Sequence, residues 1–77
     1  MERDLIEYIA KSIVDDPSSV KVNEVDGEKS TILELEVGPN DIGKVIGKHG
    51  RIAKAIRTLL QAAATKNEKH IVLEILD

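Results

Sequence analysis

Four residues, Gly47-Lys48-His49-Gly50, interrupt two apolar patterns of helical spacing, and they constrain the fold of this chain more than any other feature. The apolar positions are Ile42, Val45 and Ile46 before the interruption and Ile52, Ala55, Ile56, Leu59, Leu60 and Ala63 after it. Glycine favours a helix end because it adopts left-handed backbone conformations without a steric penalty. The sequence therefore predicts two helices that are joined by a turn of only two residues between glycines.

Apolar patterns on both sides of this helix pair complete the predicted elements. An amphipathic helix over residues 4–14 ends at Asp15-Asp16-Pro17, because a residue before proline is pushed out of the helical region. Strands are predicted over 20–25 and 31–37, with a turn at Asp26-Gly27, and over 70–76 after a polar loop at 66–69. Asp41 is expected to cap the first helix of the pair.

The order helix, strand, strand, helix, helix, strand predicts an α/β chain of the two-layer α+β kind. We expect a three-stranded mixed sheet with all helices on one face, and one domain over residues 1–77. The last two strands should be parallel neighbours, because helices connect them. Strand alternation puts Ile32, Val72 and Leu76 on the open side of the sheet, as either scattered exposed residues or part of an interface.

Composition limits the chemistry that the chain can perform. Ten Ile, seven Leu and seven Val residues stand against one Tyr and no Phe or Trp, so the core must be aliphatic. The absence of Cys excludes disulfides, thiol catalysis and zinc-thiolate sites, and it favours a reducing compartment. No apolar run approaches the roughly 18 residues of a membrane span. We therefore expect a cytoplasmic protein.

The net charge of −3 conceals an uneven distribution. Residues 1–40 hold 4 basic and 10 acidic side chains, a net of −6, whereas residues 41–77 hold 7 and 4, a net of +3. From Gly43 to Arg57 there is no acid, and five cations surround the glycine turn: Lys44, Lys48, Arg51, Lys54 and Arg57. This segment predicts a local surface that attracts anions.

The glycine turn combines this charge with bare backbone. A phosphate could approach closely between Gly47 and Gly50, where free amides and the positive end of the second helix dipole face it. His49 could donate a further hydrogen bond. The alternative is a tight helix-to-helix turn with solvated basic residues, which is the commoner meaning of an isolated Gly-x-x-Gly.

The context favours the first interpretation, because Val45-Ile46 before the turn and an aliphatic helix after it resemble the KH domain. The extra helix and strand at the start are typical of type II, and Ile46–Arg51 with Ala53–Arg57 resemble the short stand-alone KH proteins of bacteria. The resemblance implies a protein that binds single-stranded RNA and acts as a regulator after transcription or as an RNA chaperone. It also implies pairing, either as a homodimer or with a larger KH-domain protein.

By the same resemblance, each residue of the motif receives an expected role in RNA binding. Gly47, Lys48, His49 and Gly50 would contact the RNA backbone, and Gly43, Lys44 and Ile46 would line the groove beside Arg51 and Lys54. Ala53 departs from the pattern, because many KH domains have a large aliphatic residue there, and Ile52 is the neighbour that could fill the space. No cofactor is implied.

Other chemistry is poorly supported. Gly38–Lys44 has the glycines and lysine of a phosphate-binding P-loop, but Val45 replaces the hydroxyl residue that holds magnesium. Glu34 and Glu36 are better explained by a solvated sheet face than by acid/base catalysis. Two distant histidines do not make a metal site. We therefore expect no enzyme, and a KH-like protein–protein module without RNA binding stays the alternative.

Overall fold

The computed structural model describes residues 2–66 and 70–76, and its elements follow the predicted order. Two single 3₁₀ turns, Pro17–Ser19 and Lys48–Gly50, lie between the regular elements. Of the polar loop predicted at 66–69, Lys66 ends a helix and the rest lies outside the described residues. In the ranges that are described, no helix is long and apolar enough to span a bilayer. The elements are α1 (Glu2–Ile13), β1 (Lys21–Asp26), β2 (Ser30–Glu36), α2 (Ile42–Ile46), α3 (Arg51–Lys66) and β3 (His70–Leu76).

The three strands form one mixed sheet with β2 in the centre. β1 and β2 are antiparallel and pair up to Asp26 opposite Thr31, which confirms the hairpin at Asp26-Gly27. β2 and β3 are parallel, from Ser30 opposite His70 to Glu36 opposite Leu76. The predicted parallel pairing of the last two strands is therefore confirmed, and the connection between them contains both α2 and α3.

One face of the sheet and all three helices share a single aliphatic core. Leu33 and Leu35 on the central strand are completely buried, as are Val45 of α2 and Leu60 of α3. Each large aliphatic side chain that is removed from water stabilises the fold by about 1.5–3 kcal/mol. The predicted aliphatic core and the inward alternation of β2 are both confirmed.

The predicted apolar side of α3 is partly wrong. Ala55 and Leu59 were expected inside, but both are exposed, Leu59 by 53%. The residues that α3 buries are Ala53, Ile56, Leu60 and Ala64. Alanines occur on both sides of this helix, so its apolar pattern does not select one side. The true orientation is rotated, and it directs Ala53 rather than Ala55 into the core.

The outer face of the sheet carries both apolar and acidic rows. Val25, Ile32 and Val72 are paired neighbours across the three strands, and Val25 is 51% exposed. Glu34 and Glu74 are neighbours in the next outward row. The outward position predicted for Ile32 and Val72 is confirmed, and Leu76 is likewise exposed on this side.

β3, one of the two edge strands of the sheet, receives a side-chain hydrogen bond from α3. β3 is paired with β2 on one side only. The Gln61 side-chain amide donates to the Ile71 carbonyl at 2.6 Å. One backbone acceptor of the edge strand is therefore already occupied within the chain.

Candidate nucleic-acid interface

Gly47 ends α2 in a backbone conformation that is almost restricted to glycine. Its φ is 79° and its ψ is 173°, a region where a residue with a Cβ is strained. A Cβ at this position would also lie 2.6 Å from Cγ1 of Ile52, far inside van der Waals contact. Both the backbone and the packing of Ile52 therefore require glycine here, as the sequence predicted for the end of the helix.

The turn after Gly47 keeps two more residues at positive φ. His49 has φ 58° and Gly50 has φ 73°. The Gly50 amide donates to the Gly47 carbonyl at 3.1 Å and closes the turn. A Cβ on Gly50 would meet nothing within 4 Å, so this glycine serves the backbone alone. A non-glycine residue at positive φ is uncommon, and such conformations cluster at functional sites.

The turn offers donors to an anion. The side chains of Lys48 and His49 are both exposed. Across the described residues, no hydrogen bond outside the helices uses the backbone amide of either residue. These amides lie just before α3, whose sixteen residues give its first turn a partial positive charge. The predicted combination of bare backbone and positive potential is therefore present.

Three further cations follow on the first two turns of α3. Arg51, Lys54 and Arg57 are exposed, and their three-residue spacing keeps them along one side of the helix. Within the part of the chain that is described, none of them, nor Lys48, has a carboxylate within 4 Å. Four of the five predicted cations therefore have no carboxylate partner among the described residues, so an external anion can contact them.

Lys44 differs from the other four. Its ammonium lies 2.7 Å from a carboxylate oxygen of Asp15 and 3.6 Å from one of Asp41. The hydrogen bond and opposite charge of Asp15, with a smaller contribution from Asp41, raise the pKa of Lys44 above its usual range. The acid near Lys44 in the sequence is Asp41, whereas Asp15, the partner at the shorter distance, is 29 residues away along the chain.

Asp41 does not cap α2 with its side chain, which corrects the sequence prediction. Its carboxylate accepts hydrogen bonds from the backbone amides of Asp15 and Asp16, each at 3.1 Å. The residue is only 3% exposed. These amides follow α1, where the backbone leaves the helix and needs acceptors, so the carboxylate satisfies them instead of α2. No local motif identifies such a role.

The outward side of α2 carries the remaining predicted groove residues. Ile46 is 37% exposed, and Gly43 is exposed with nothing within 4 Å of a Cβ placed on it. Ala53 lies in the core, whereas Ile52 covers Gly47. The proposed groove therefore runs over neighbouring elements, from Gly43 and Ile46 through the turn to the start of α3. The side chain of Lys44 contacts Asp15 instead.

The other candidates from the sequence lie away from this surface. Glu34 and Glu36 are on the outer face of the sheet, and His70 is exposed at the start of β3. Among the side chains that are described, no three of His, Cys, Asp or Glu are grouped to hold a metal ion. The only concentration of unpaired cations in the described ranges is around the turn.

Comparison with known proteins gives consistent matches over nearly the whole chain. The sequence profile of the family described as "KhpA/KhpB, KH domain" matches residues 3–75. Proteins named "RNA-binding protein KhpA" are similar at 64% identity in Clostridium perfringens, 59% in Borreliella burgdorferi and 51% in Aquifex aeolicus. The alignments cover 96%, 99% and 97% of this chain and 99%, 93% and 95% of those proteins, respectively. No solved structure matches significantly.

Proposed function

Since the chain belongs to the KhpA/KhpB family of KH domains, we propose that it is an RNA-binding protein that holds single-stranded RNA at the Gly47–Gly50 loop. The observation that carries the proposal is the loop itself, which has residues at positive φ and amides that make no hydrogen bond outside the helices. Among the described residues, its cation Lys48 and those at the start of α3 have no carboxylate within 4 Å. KH loops of this kind clamp about four backbone nucleotides. The cellular role is regulation after transcription or RNA chaperoning in the cytoplasm.

Each part of the surface contributes in a distinct way. The amides of Lys48 and His49 donate to phosphate oxygens, and Arg51 and Lys54 extend the positive potential along α3. Gly43 and Ile46 give the bases a smooth aliphatic wall. Tyr8 is the sole aromatic residue, and it lies on α1, so base stacking on an aromatic platform plays no part. Contacts to phosphate therefore dominate, and sequence preference is weak.

Salt dependence measures the phosphate contacts directly. Neutralising two to four phosphates of a single strand gives a slope of log affinity against log salt of roughly −1.5 to −3, at about −0.7 for each phosphate. Fluorescence anisotropy with a labelled 12-nucleotide RNA at increasing KCl provides this slope. Binding that does not respond to salt would contradict phosphate recognition.

A charge reversal in the loop locates the surface. Lys48→Asp with His49→Asp should abolish binding, because the new carboxylates repel phosphate, while substitutions at exposed sites change stability by about 0.5 kcal/mol or less. Lys29→Asp with Asn23→Asp makes the same change in charge on the hairpin, where both residues are exposed, and should bind RNA normally. Unchanged affinity in the folded loop variant would favour the protein–protein module instead.

The proposal includes assembly into units with two RNA sites, either as a homodimer or with a larger KH-domain protein. A second linked site can raise avidity by about 10²- to 10⁴-fold without new contacts. The row of Val25, Ile32 and Val72 on the outer face leaves apolar area in water, which supports pairing. Sedimentation equilibrium without RNA tests self-pairing, and a mass of 8.4 kDa at all micromolar concentrations would leave only the larger partner.

A further inference from the structure

The RNA-binding loop follows α2, a helix that is too short to be stable without contacts to the rest of the protein. α2 has five residues, and isolated helices shorter than about 12 residues are marginal in water. Only one of its side chains, Val45, is fully buried. The amide of Gly47 donates to the carbonyl of Gly43 at 2.9 Å, so the loop begins directly from this short helix. The orientation of the loop therefore requires a further attachment for α2.

Asp41 supplies that attachment from the first position before α2. Its two carboxylate oxygens each accept one backbone amide, from Asp15 and from Asp16. Its own carbonyl accepts the amide of Lys44 at 3.0 Å, which starts the helix. One residue thus connects the segment after α1 to the first turn of α2. We call the group of Asp15, Asp16, Asp41 and Lys44 the latch.

The charge of Asp41 also fixes the position of Lys44. A buried carboxylate is costly unless an opposite charge or several donors compensate it. The Asp41 side chain is 4% exposed, and the ammonium of Lys44 is the cation beside it, at 3.6 Å. If Lys44 moved to an RNA phosphate, Asp41 would keep only neutral donors. The 2.7 Å contact with Asp15 adds a second reason for Lys44 to stay.

We infer that Asp41 is a positioning residue for the RNA-binding loop and that Lys44 is its counter-ion, not a phosphate ligand. The inference rests on the proposed function for its RNA measurement, whereas the positioning of the loop can be measured without RNA. It removes Lys44 from the groove residues that the family resemblance suggested.

Native-state amide hydrogen exchange, without RNA, tests the positioning. Asp41→Ala should lower the protection of the Val45, Gly47 and Gly50 amides at least tenfold more than that of Leu33 in the core. Asp26→Ala, which removes the acceptor of a 3.0 Å hydrogen bond from the Thr31 hydroxyl at the hairpin, is the control and should leave the protection of the loop amides unchanged.

Two outcomes would overturn the positioning role. An equal loss of protection at the loop and in the core would show that Asp41 serves only global stability, and unchanged loop protection would show that the latch does not hold α2. Asp41→Asn keeps one carbonyl oxygen as acceptor, and it provides the same comparison if the alanine variant does not fold.

Salt-dependent RNA binding tests the role of Lys44. Lys48→Gln should make the slope shallower by about 0.7, which is one phosphate contact on a single strand. Lys44→Gln should keep the wild-type slope. Lys11→Gln, which removes a lysine paired with Glu7 at 3.0 Å on α1, is the matched control. A slope shallower by 0.7 in Lys44→Gln would make Lys44 a phosphate ligand and overturn the inference.

The two measurements separate the failure of this inference from the failure of the proposed function. If neither the wild type nor the Lys11→Gln control binds RNA, the proposed function fails, and the exchange comparison still decides whether Asp41 positions the loop. If the wild type and the Lys11→Gln control both bind RNA, and Asp41→Ala leaves the exchange protection of the loop amides unchanged, the proposed function stands and the positioning role fails.

Discussion

Replacement of Gly47 by alanine should damage the fold more than any other single change in the loop. The backbone at φ 79° and ψ 173° costs a residue with a Cβ about 1–3 kcal/mol. The new methyl group would also lie 2.6, 2.9 and 2.9 Å from three atoms of Ile52, and such overpacking typically costs about 1–3 kcal/mol. We expect Gly47→Ala to lower the free energy of unfolding by about 2–6 kcal/mol.

Urea denaturation followed by circular dichroism measures this loss, and two comparisons separate its causes. Gly50→Ala has the positive φ but no clash, so it should cost only about 1–3 kcal/mol. In an Ile52→Ala background the two closest side-chain carbons beyond Cβ are absent, and Gly47→Ala should cost less by about 1–3 kcal/mol. Equal costs for Gly47→Ala and Gly50→Ala would refute the packing argument, and a cost below about 1 kcal/mol would refute the strained conformation.

Two more predictions concern other positions. Gly43→Ala meets no atom within 4 Å and should raise the free energy of unfolding by about 0.5–1 kcal/mol in urea denaturation, because glycine weakens a helix. Under the proposed function, the same variant should bind RNA severalfold more weakly in anisotropy titrations, because the methyl group would enter the proposed groove. Hydrogen bonds from the Ser18 and Ser19 hydroxyls lower the pKa of Asp16 in the folded protein. Their contribution to stability is therefore complete at a pH above the pKa that Asp16 has in the unfolded chain. It is lost as the pH falls through the lower pKa of Asp16 in the folded protein. Acid titration should therefore show a steeper loss of stability in the wild type than in Ser18→Ala with Ser19→Ala, and identical curves would contradict the shift.

The elements and their order could be predicted because local signals encode them. Asp26-Gly27 specifies a tight turn, and strict alternation from Thr31 to Val37 fixes which face of β2 is buried. The resemblance of the glycine turn to KH domains identified the family that the sequence comparisons support. These features depend on neighbouring residues, so sequence alone was sufficient.

The remaining details depend on contacts between distant segments. Ala55 and Leu59 were assigned to the core because alanine lies on both sides of α3, and only the packing of the whole helix selects its buried face. The contacts that Asp41 and Lys44 make with the segment after α1 were missed for a different reason. The amides that Asp41 accepts and the Asp15 carboxylate beside Lys44 precede them by 25–29 residues, and no spacing rule connects positions that far apart in different elements.

The hydrogen bond from Gln61 to the Ile71 carbonyl affects how this chain behaves at high concentration. An exposed edge strand is a template on which another chain can add a strand, and repeated addition leads to aggregation. At Ile71 the Gln61 amide already donates to the backbone carbonyl. We expect this contact to make the β3 edge a less favourable template for an added strand at this one position.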